Sequence, residues 1–275
     1  MVYFSRMRLA LILALLIVLC ISLSAQDGDF NLGARNSALA GASATIEDSW
    51  SIYNNIAGMA GISSSTAMIS YQNRFGVSEF QVVGGAYVQK TNSFNVGVSF
   101  YRFGDELFNQ QQMKLAVANT IDRVSLGLAL DVVQVSIESL GTTRSLVLEF
   151  GGIATITDQL KFSGHAYNIN QAKLNEQETI PTVIKAGVLY QPVKSVMLIG
   201  EIQKDLDFDE VVKIGLEYEI VQSVWLRTGI STNPFKAAFG AGTKWKQFGL
   251  DYAFNDQTDL GSIHEFSLQY FLRKD

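Results

Sequence analysis

From Thr66 to the C-terminus, hydrophobicity changes sign at almost every residue. Val124, Leu126, Leu128, Leu130 and Val132 alternate with Ser125, Gly127, Ala129 and Asp131. Val212, Ile214, Leu216, Tyr218 and Ile220 alternate with Lys213, Gly215, Glu217 and Glu219. Near the C-terminus, Phe266, Leu268 and Tyr270 alternate with Glu265, Ser267 and Gln269. Successive side chains on a strand point to opposite faces, so each such segment has one apolar and one polar face. The pattern predicts an all-β chain with fourteen strands, near 65–73, 79–90, 93–103, 108–119, 122–137, 143–155, 159–168, 181–190, 194–203, 210–220, 223–231, 236–245, 247–254 and 262–272. All three prolines (Pro181, Pro192, Pro234) fall at predicted strand starts or turns, where a missing N–H is tolerated.

Spacing says what the strands build. Thr66 to Asp275 is 210 residues, or 15 for each strand with its connection. A tilted strand that crosses a bilayer needs about 9–11 residues, leaving about four or five for each connection. Tight connections (Lys90 to Asn92, Thr120 to Asp122, Val221 to Gln222, Lys246) alternate with longer ones (Asn73 to Ser78, Glu138 to Thr143, Asn170 to Ile180, Asn255 to Gly261). Short turns at one end and longer loops at the other predict a transmembrane antiparallel β-barrel of about fourteen strands in an outer membrane, with both termini on the short-turn side. Alternation alone leaves open which face is inside, and a two-sheet sandwich or β-helix would bury the apolar one. Three features favour the barrel. The polar face is rich in Gly, Ala and Ser, as suits a crowded lumen. Aromatics recur near strand ends (Phe94, Phe100, Trp225, Trp245, Phe248, Phe254, Tyr270), as interface girdles require. Fourteen strands around a soluble core would leave a wide, empty apolar interior.

Composition agrees. The 275 residues are 48% hydrophobic and only 17% charged, where soluble proteins carry about 25% charge. The one long apolar run is Leu9 to Leu23, preceded by Arg6 and Arg8 and followed by Ser24 and Ala25. This reads as a cleaved signal peptide over residues 1–25. The alternative is a membrane anchor, for which 15 residues fall short of a core about 30 Å thick. The lone Cys20 belongs to this segment. Its removal leaves 19 basic and 26 acidic residues, net −7, and no Cys. Disulfides, thiolate catalysis and Cys-ligated metals are thereby excluded, and nothing offers the basic face of a nucleic-acid binder.

The 26–64 segment behaves differently and could fold into the barrel as a plug, ahead of the barrel proper at 65–275. It contains Gly33-Ala34-Arg35, a small-residue stretch through Gly41-Ala42, then Glu47-Asp48 and Tyr53-Asn54-Asn55-Ile56-Ala57-Gly58-Met59. The acidic pair suits the start of a short helix, whose dipole favours acids. With these motifs the chain resembles the FadL-like outer-membrane proteins, especially the PorV/PorQ branch. Gly33, Arg35, Gly41, Asp48, Tyr53, Asn55 and Gly58 match the family's plug motif, while Ile56 stands where the family has Pro. Pro181-Thr182, Lys204-Asp205-Leu206-Asp207 and the closing 260–268 stretch also look like this branch. The resemblance implies a fourteen-stranded barrel with its N-terminal segment in the lumen. It implies outer-membrane lipid as surroundings, and either hydrophobic small molecules as ligands or, in the PorV branch, secretion-system components and secreted cargo of type IX secretion in Bacteroidota-type bacteria.

Little in the sequence points to catalysis, and no cofactor is expected. A barrel lipase would need a Ser–His pair with a third orienting group, and no local motif marks one around His165 or His264. The acidic cluster Asp205, Asp207, Asp209 and Glu210 reads as a solvated loop or, alternatively, a loose Ca²⁺ site. Asp131, Glu149, Glu201, Glu217, Arg227, Lys244, Asp251 and Glu265 are expected to face the lumen, as structural ion pairs or as a selective pathway. A passage for hydrophobic solutes would further require a lateral opening, a kink or gap in a strand beside the plug. A plugged structural barrel without transport is the remaining alternative.

Overall fold

The computed structural model describes residues 30–176, 178–257 and 260–272; the expected signal peptide lies outside them. Fourteen strands form one closed barrel. The first seven are β1 (Thr66–Arg74), β2 (Gln81–Gln89), β3 (Asn95–Gly104), β4 (Phe108–Ile121), β5 (Val124–Ile137), β6 (Gly141–Thr157) and β7 (Leu160–Tyr167). They are followed by β8 (Val183–Val193), β9 (Val196–Asp205), β10 (Val211–Val221), β11 (Val224–Ser231), β12 (Lys236–Trp245), β13 (Phe248–Gln257) and β14 (Gly261–Phe271). Each strand pairs antiparallel with its sequence neighbours, and β1 closes on β14 from Thr66↔Phe271 to Arg74↔Ile263.

All fourteen strands lie where the alternation predicts them, with ends that shift by a few residues. At β2, Ser78–Phe80 forms a short 3-10 turn before pairing begins. The faces are inverted relative to a water-soluble barrel. Met113, Leu115, Leu128, Ile214 and Leu250 are exposed on the outside, whereas Asp131, Glu149, Glu201 and Glu265 inside are at most 2% exposed. Trp225 corrects one expectation. It shares its parity with the inward Arg227, so it lines the lumen instead of joining an outer girdle.

Register shifts occur between Glu219 and Val221, Thr155 and Thr157, and Tyr190 and Val193. All three adjoin tight turns. Among the described residues the rest of the ladder is continuous, so the wall has no mid-strand gap.

Residues 30–62 lie inside the barrel, against inward-facing residues of its wall. They form helix α1 (Ala34–Ala38), helix α2 (Ser51–Asn54) and a 3-10 helix (Ile56–Gly61). Helices this short are not stable alone; the wall holds them. Helix α1 packs on β11 to β14, and the 3-10 helix packs on β3 to β6. The approach is close enough to demand glycine in the wall. A Cβ on Gly127 would sit 2.6 Å from the Ala57 nitrogen, and one on Gly229 would sit 2.4 Å from the Leu39 carbonyl carbon.

The 168–182 connection folds back over the long-loop end. Asn168 Nδ2 donates to the Ile180 carbonyl at 2.7 Å, and Asn168 Oδ1 accepts from the Ala172 N–H at 2.7 Å. This places Leu174 and Ile180 in one apolar core with Phe30, Tyr101, Val133, Val147 and Val183.

Candidate functional site: the plugged lumen and the outer wall

Three wall carboxylates hold the first part of the plug. Glu265 on β14 accepts from the Gly33 N–H at 2.7 Å, from Ser70 Oγ at 2.7 Å and from Gln72 Nε2 at 2.9 Å, and it also bonds Ser37 Oγ. Gly33 has φ +111°, a conformation that L side chains rarely adopt, and this turns its N–H onto the carboxylate. Glu201 on β9 accepts from the N–H groups of Ser43 and Ala44 at 2.9 and 2.8 Å, and from Lys213 Nζ at 2.9 Å. Glu217 on β10 receives both Nε (2.8 Å) and Nη2 (2.6 Å) of Arg35, the two-pronged geometry a guanidinium offers a carboxylate.

The pairs extend into a network. Arg227 donates to Glu217 at 2.5 Å and to Asp251 at 2.6 Å, while Arg35 also reaches Asp48 at 3.0 Å. Burial alone would lower the Arg35 pKa; the carboxylates of Glu217 and Asp48 more than offset it, so the guanidinium stays charged. Each charge of this network thus has a partner of opposite sign, the condition on which burial is tolerable. Asp48 Oδ1 also accepts the Ser51 N–H at the start of α2 at 3.1 Å.

The second part of the plug is held by apolar packing and backbone capture. Trp50, Ile52, Ile56 and Met59 are buried. The Tyr53 hydroxyl lies 2.7 Å from the Gly85 carbonyl and 2.8 Å from that of Phe100. Its burial raises its pKa well above the ordinary phenol value, keeping it a donor. Asn55 Nδ2 donates to the Ala44 carbonyl at 2.6 Å, and its Oδ1 caps the 3-10 helix at Ala57 N–H. Ile56 is therefore accommodated in helical backbone where the resembled family has Pro. Gly58 is pressed against Ile46, where a Cβ would lie 2.3 Å from the carbonyl oxygen, and the Gly41 carbonyl accepts from Lys213 Nζ at 3.2 Å.

The remaining expected lumen charges divide. Asp131 and Glu149 share Lys114, at 3.7 and 2.5 Å, and Glu149 meets His165 Nε2 at 3.0 Å. Lys244 stands at the tight-turn rim, its Nζ 4.0 Å from the Phe271 ring centroid. Lys114, Lys161 and Lys213 were not singled out by sequence reasoning; inward parity opposite an acid is the signal that finds Lys114 (opposite Asp131) and Lys213 (opposite Glu201), whereas Lys161, opposite Thr155 and Leu189, pairs with Glu47 of the 30–62 segment. The acidic 205–210 loop pairs locally, through Asp205 with the Asp207 N–H and Lys204 with Glu210. No group of three acidic or histidine side chains suited to a metal is found among the described residues.

Two cavities flank α1. The one at the tight-turn end, about 260 Å³, is lined by Arg35, Asp48, Glu217, Trp225 and Lys244. The one at the long-loop end, about 420 Å³, is lined by Asn36, Ser37, Arg74, Gln203, Lys213 and Asn255.

The outer wall carries a third hollow, about 730 Å³, lined by Ile69 and Tyr71 of β1, Val83 of β2, Ala241 and Thr243 of β12, Leu250 and Tyr252 of β13, and Phe266 and Leu268 of β14. Above it, Tyr252 Oη lies 2.8 Å from His264 Nδ1, and Ser262 Oγ lies 3.4 Å from His264 Nε2. The order Ser–His–orienting hydroxyl is that of an activated nucleophile, which the sequence did not flag. The Ser–His contact is long, and β14 is laddered here to both β13 and β1, which commits the strand amides that would serve as an oxyanion hole. We therefore read the row as a polar rim.

No protein-family model matches the chain, and no curated protein matches it significantly. Solved structures do. The toluene transporter TbuX of Ralstonia pickettii superposes with a TM-score of 0.70 at 10% identity, covering 89% of this chain and 99% of that one. A FadL homologue of Pseudomonas aeruginosa gives 0.65 at 12% identity, covering 89% and 100%. The toluene transporter TodX of Pseudomonas putida gives 0.65 at 10% identity, covering 88% and 98%. At such identities the likeness is one of fold: this chain has the FadL-type barrel fold.

Proposed function

We propose that this chain, exported by its first 25 residues, sits in an outer membrane as a FadL-type transport barrel for small hydrophobic molecules and has no catalytic role. The observation that carries this reading is the combination of an apolar outer face with a lumen occupied by the chain's own N-terminal segment, inside the barrel fold that TbuX and TodX also have. Both of those proteins are toluene transporters by description. Residues 30–62 lie inside the barrel in the described conformation, and on this reading passage requires them to shift or the wall to open. In this orientation the long loops face outside the cell and the tight turns face the periplasm. The test is uptake of radiolabelled toluene by cells that lack their own channel of this type. Expression of the full chain should raise uptake; unchanged uptake, with the barrel shown to be inserted, would sink the reading.

A second reading, an accessory of type IX secretion in the manner of the PorV branch, is favoured by one feature. The plug is bonded to strands all around a continuous ladder, which suits a barrel that works by binding partners at its rims. Gene deletion followed by comparison of secreted proteins separates the two; an unaltered secretome counts against the accessory role.

A further inference from the structure

We propose that the hollow on the outer wall is a binding site for one lipid of the outer leaflet, its acyl chain in the hollow and its headgroup at Tyr252 and His264. This rests on the membrane placement proposed above.

The hollow exists because of side-chain size. Along β12 the outward residues at its floor are Ala241 and Thr243, while Tyr71, Tyr252 and Phe266 stand around it on neighbouring strands. Small residues between large ones leave a trough in a face where Phe266, Leu250 and Ile69 remain more than half exposed. The lining is apolar almost throughout, so what fills the trough is hydrocarbon.

What distinguishes this trough from ordinary rough barrel surface is its rim. His264 lies two residues before Phe266 on the same outward face, and Tyr252 both lines the trough and bonds His264. The rings of Tyr252 and Phe266 are 4.7 Å apart, and the Phe254 ring meets His264 edge-on at 5.3 Å. A histidine turned toward lipid is costly unless it meets polar partners. Here it lies three residues inside the long-loop end of β14, with hydroxyls on both ring nitrogens. Polar rim toward the long loops and apolar trough toward the mid-barrel is the polarity of an outer-leaflet lipid. The reverse order would have suited the inner leaflet. An aromatic side chain with a polar tip is the usual bridge between the two zones, and Tyr252 occupies that position.

The test is native mass spectrometry of the full chain in detergent, titrated with hexa-acylated lipid A, the acylated glucosamine disaccharide of an outer membrane's outer leaflet. One lipid per barrel should persist at activation energies that strip the others. Ala241→Trp fills the trough and should lower occupancy of that adduct about tenfold. His264→Leu keeps the apolar surface, removes the headgroup partner and should weaken the adduct severalfold. Ile214→Trp, outward on β10, should leave it unchanged. Heat-modifiable gel mobility checks that each variant is a closed barrel. A persistent adduct that is insensitive to Ala241→Trp, or only a statistical spread of adducts, overturns the site while leaving the membrane reading intact. Release of the wild-type chain from membranes by carbonate overturns both.

Discussion

The two sides of the lumen hold the plug by different physics. On the side of β9 to β14 the contacts are charge-assisted: Glu201, Glu217 and Glu265 capture backbone N–H groups and Arg35. On the side of β2 to β8 the packing is mainly apolar, with Ile52 and Met59 against Gly97 and Ile56 against Gly127, and the polar contacts there are backbone captures by Tyr53 and Asn55 and the peripheral Lys161–Glu47 pair. The difference teaches where the plug can give way. Carboxylate bonds are directional and have few substitutes, but water can replace them if the cavities beside α1 widen. The contacts of Ile52, Ile56 and Met59 have no such replacement, because water gains no partner against their side chains.

That contrast can be tested by breaking each side in turn. Glu217→Ala should have the largest effect, about 3–5 kcal/mol in urea unfolding of the folded barrel, because it removes three charge-assisted hydrogen bonds and leaves Arg35 only Asp48 and Arg227 only Asp251. Gly127→Val should cost about 1–3 kcal/mol by overpacking against Ala57 and should expose residues 30–62 to protease while the barrel keeps its heat-modifiable mobility. Tyr53→Phe should cost about 1 kcal/mol through one lost hydrogen bond, with no change in protease access. Lys161→Met, at the half-exposed Lys161–Glu47 pair, should cost about 0.2–1 kcal/mol, an effect that high salt abolishes in the wild type. If Glu217→Ala proved as mild as Lys161→Met, the charge-assisted side would not be the anchor described here.

The barrel was legible because its signal is local. Each outward Leu or Phe is two residues from the next, and a window of a few residues suffices to see it. The inside was only half legible. Alternation puts Glu217 in the lumen, but nothing near it names Arg35, 182 residues earlier, as its partner. Trp225 was misread because a position near a strand end suggested a girdle; parity with Arg227 overrides position. The outer hollow was invisible for another reason. It depends on Ala241 and Thr243 being small relative to residues on other strands, a comparison that alternation within one strand cannot make.

The bond from the Gly33 N–H to Glu265 spans 232 residues of chain. It has a consequence for the order of assembly. Gly33 belongs to the first described segment, and the carboxylate it needs sits on the last strand. Contacts so distant in sequence are slow to find, because most of the chain must be ordered first. A segment translated before every strand is therefore completed only with the last of them. Until β14 zips onto β1, the barrel is an open sheet with an unfinished interior, and closing the seam and seating the plug become a single event.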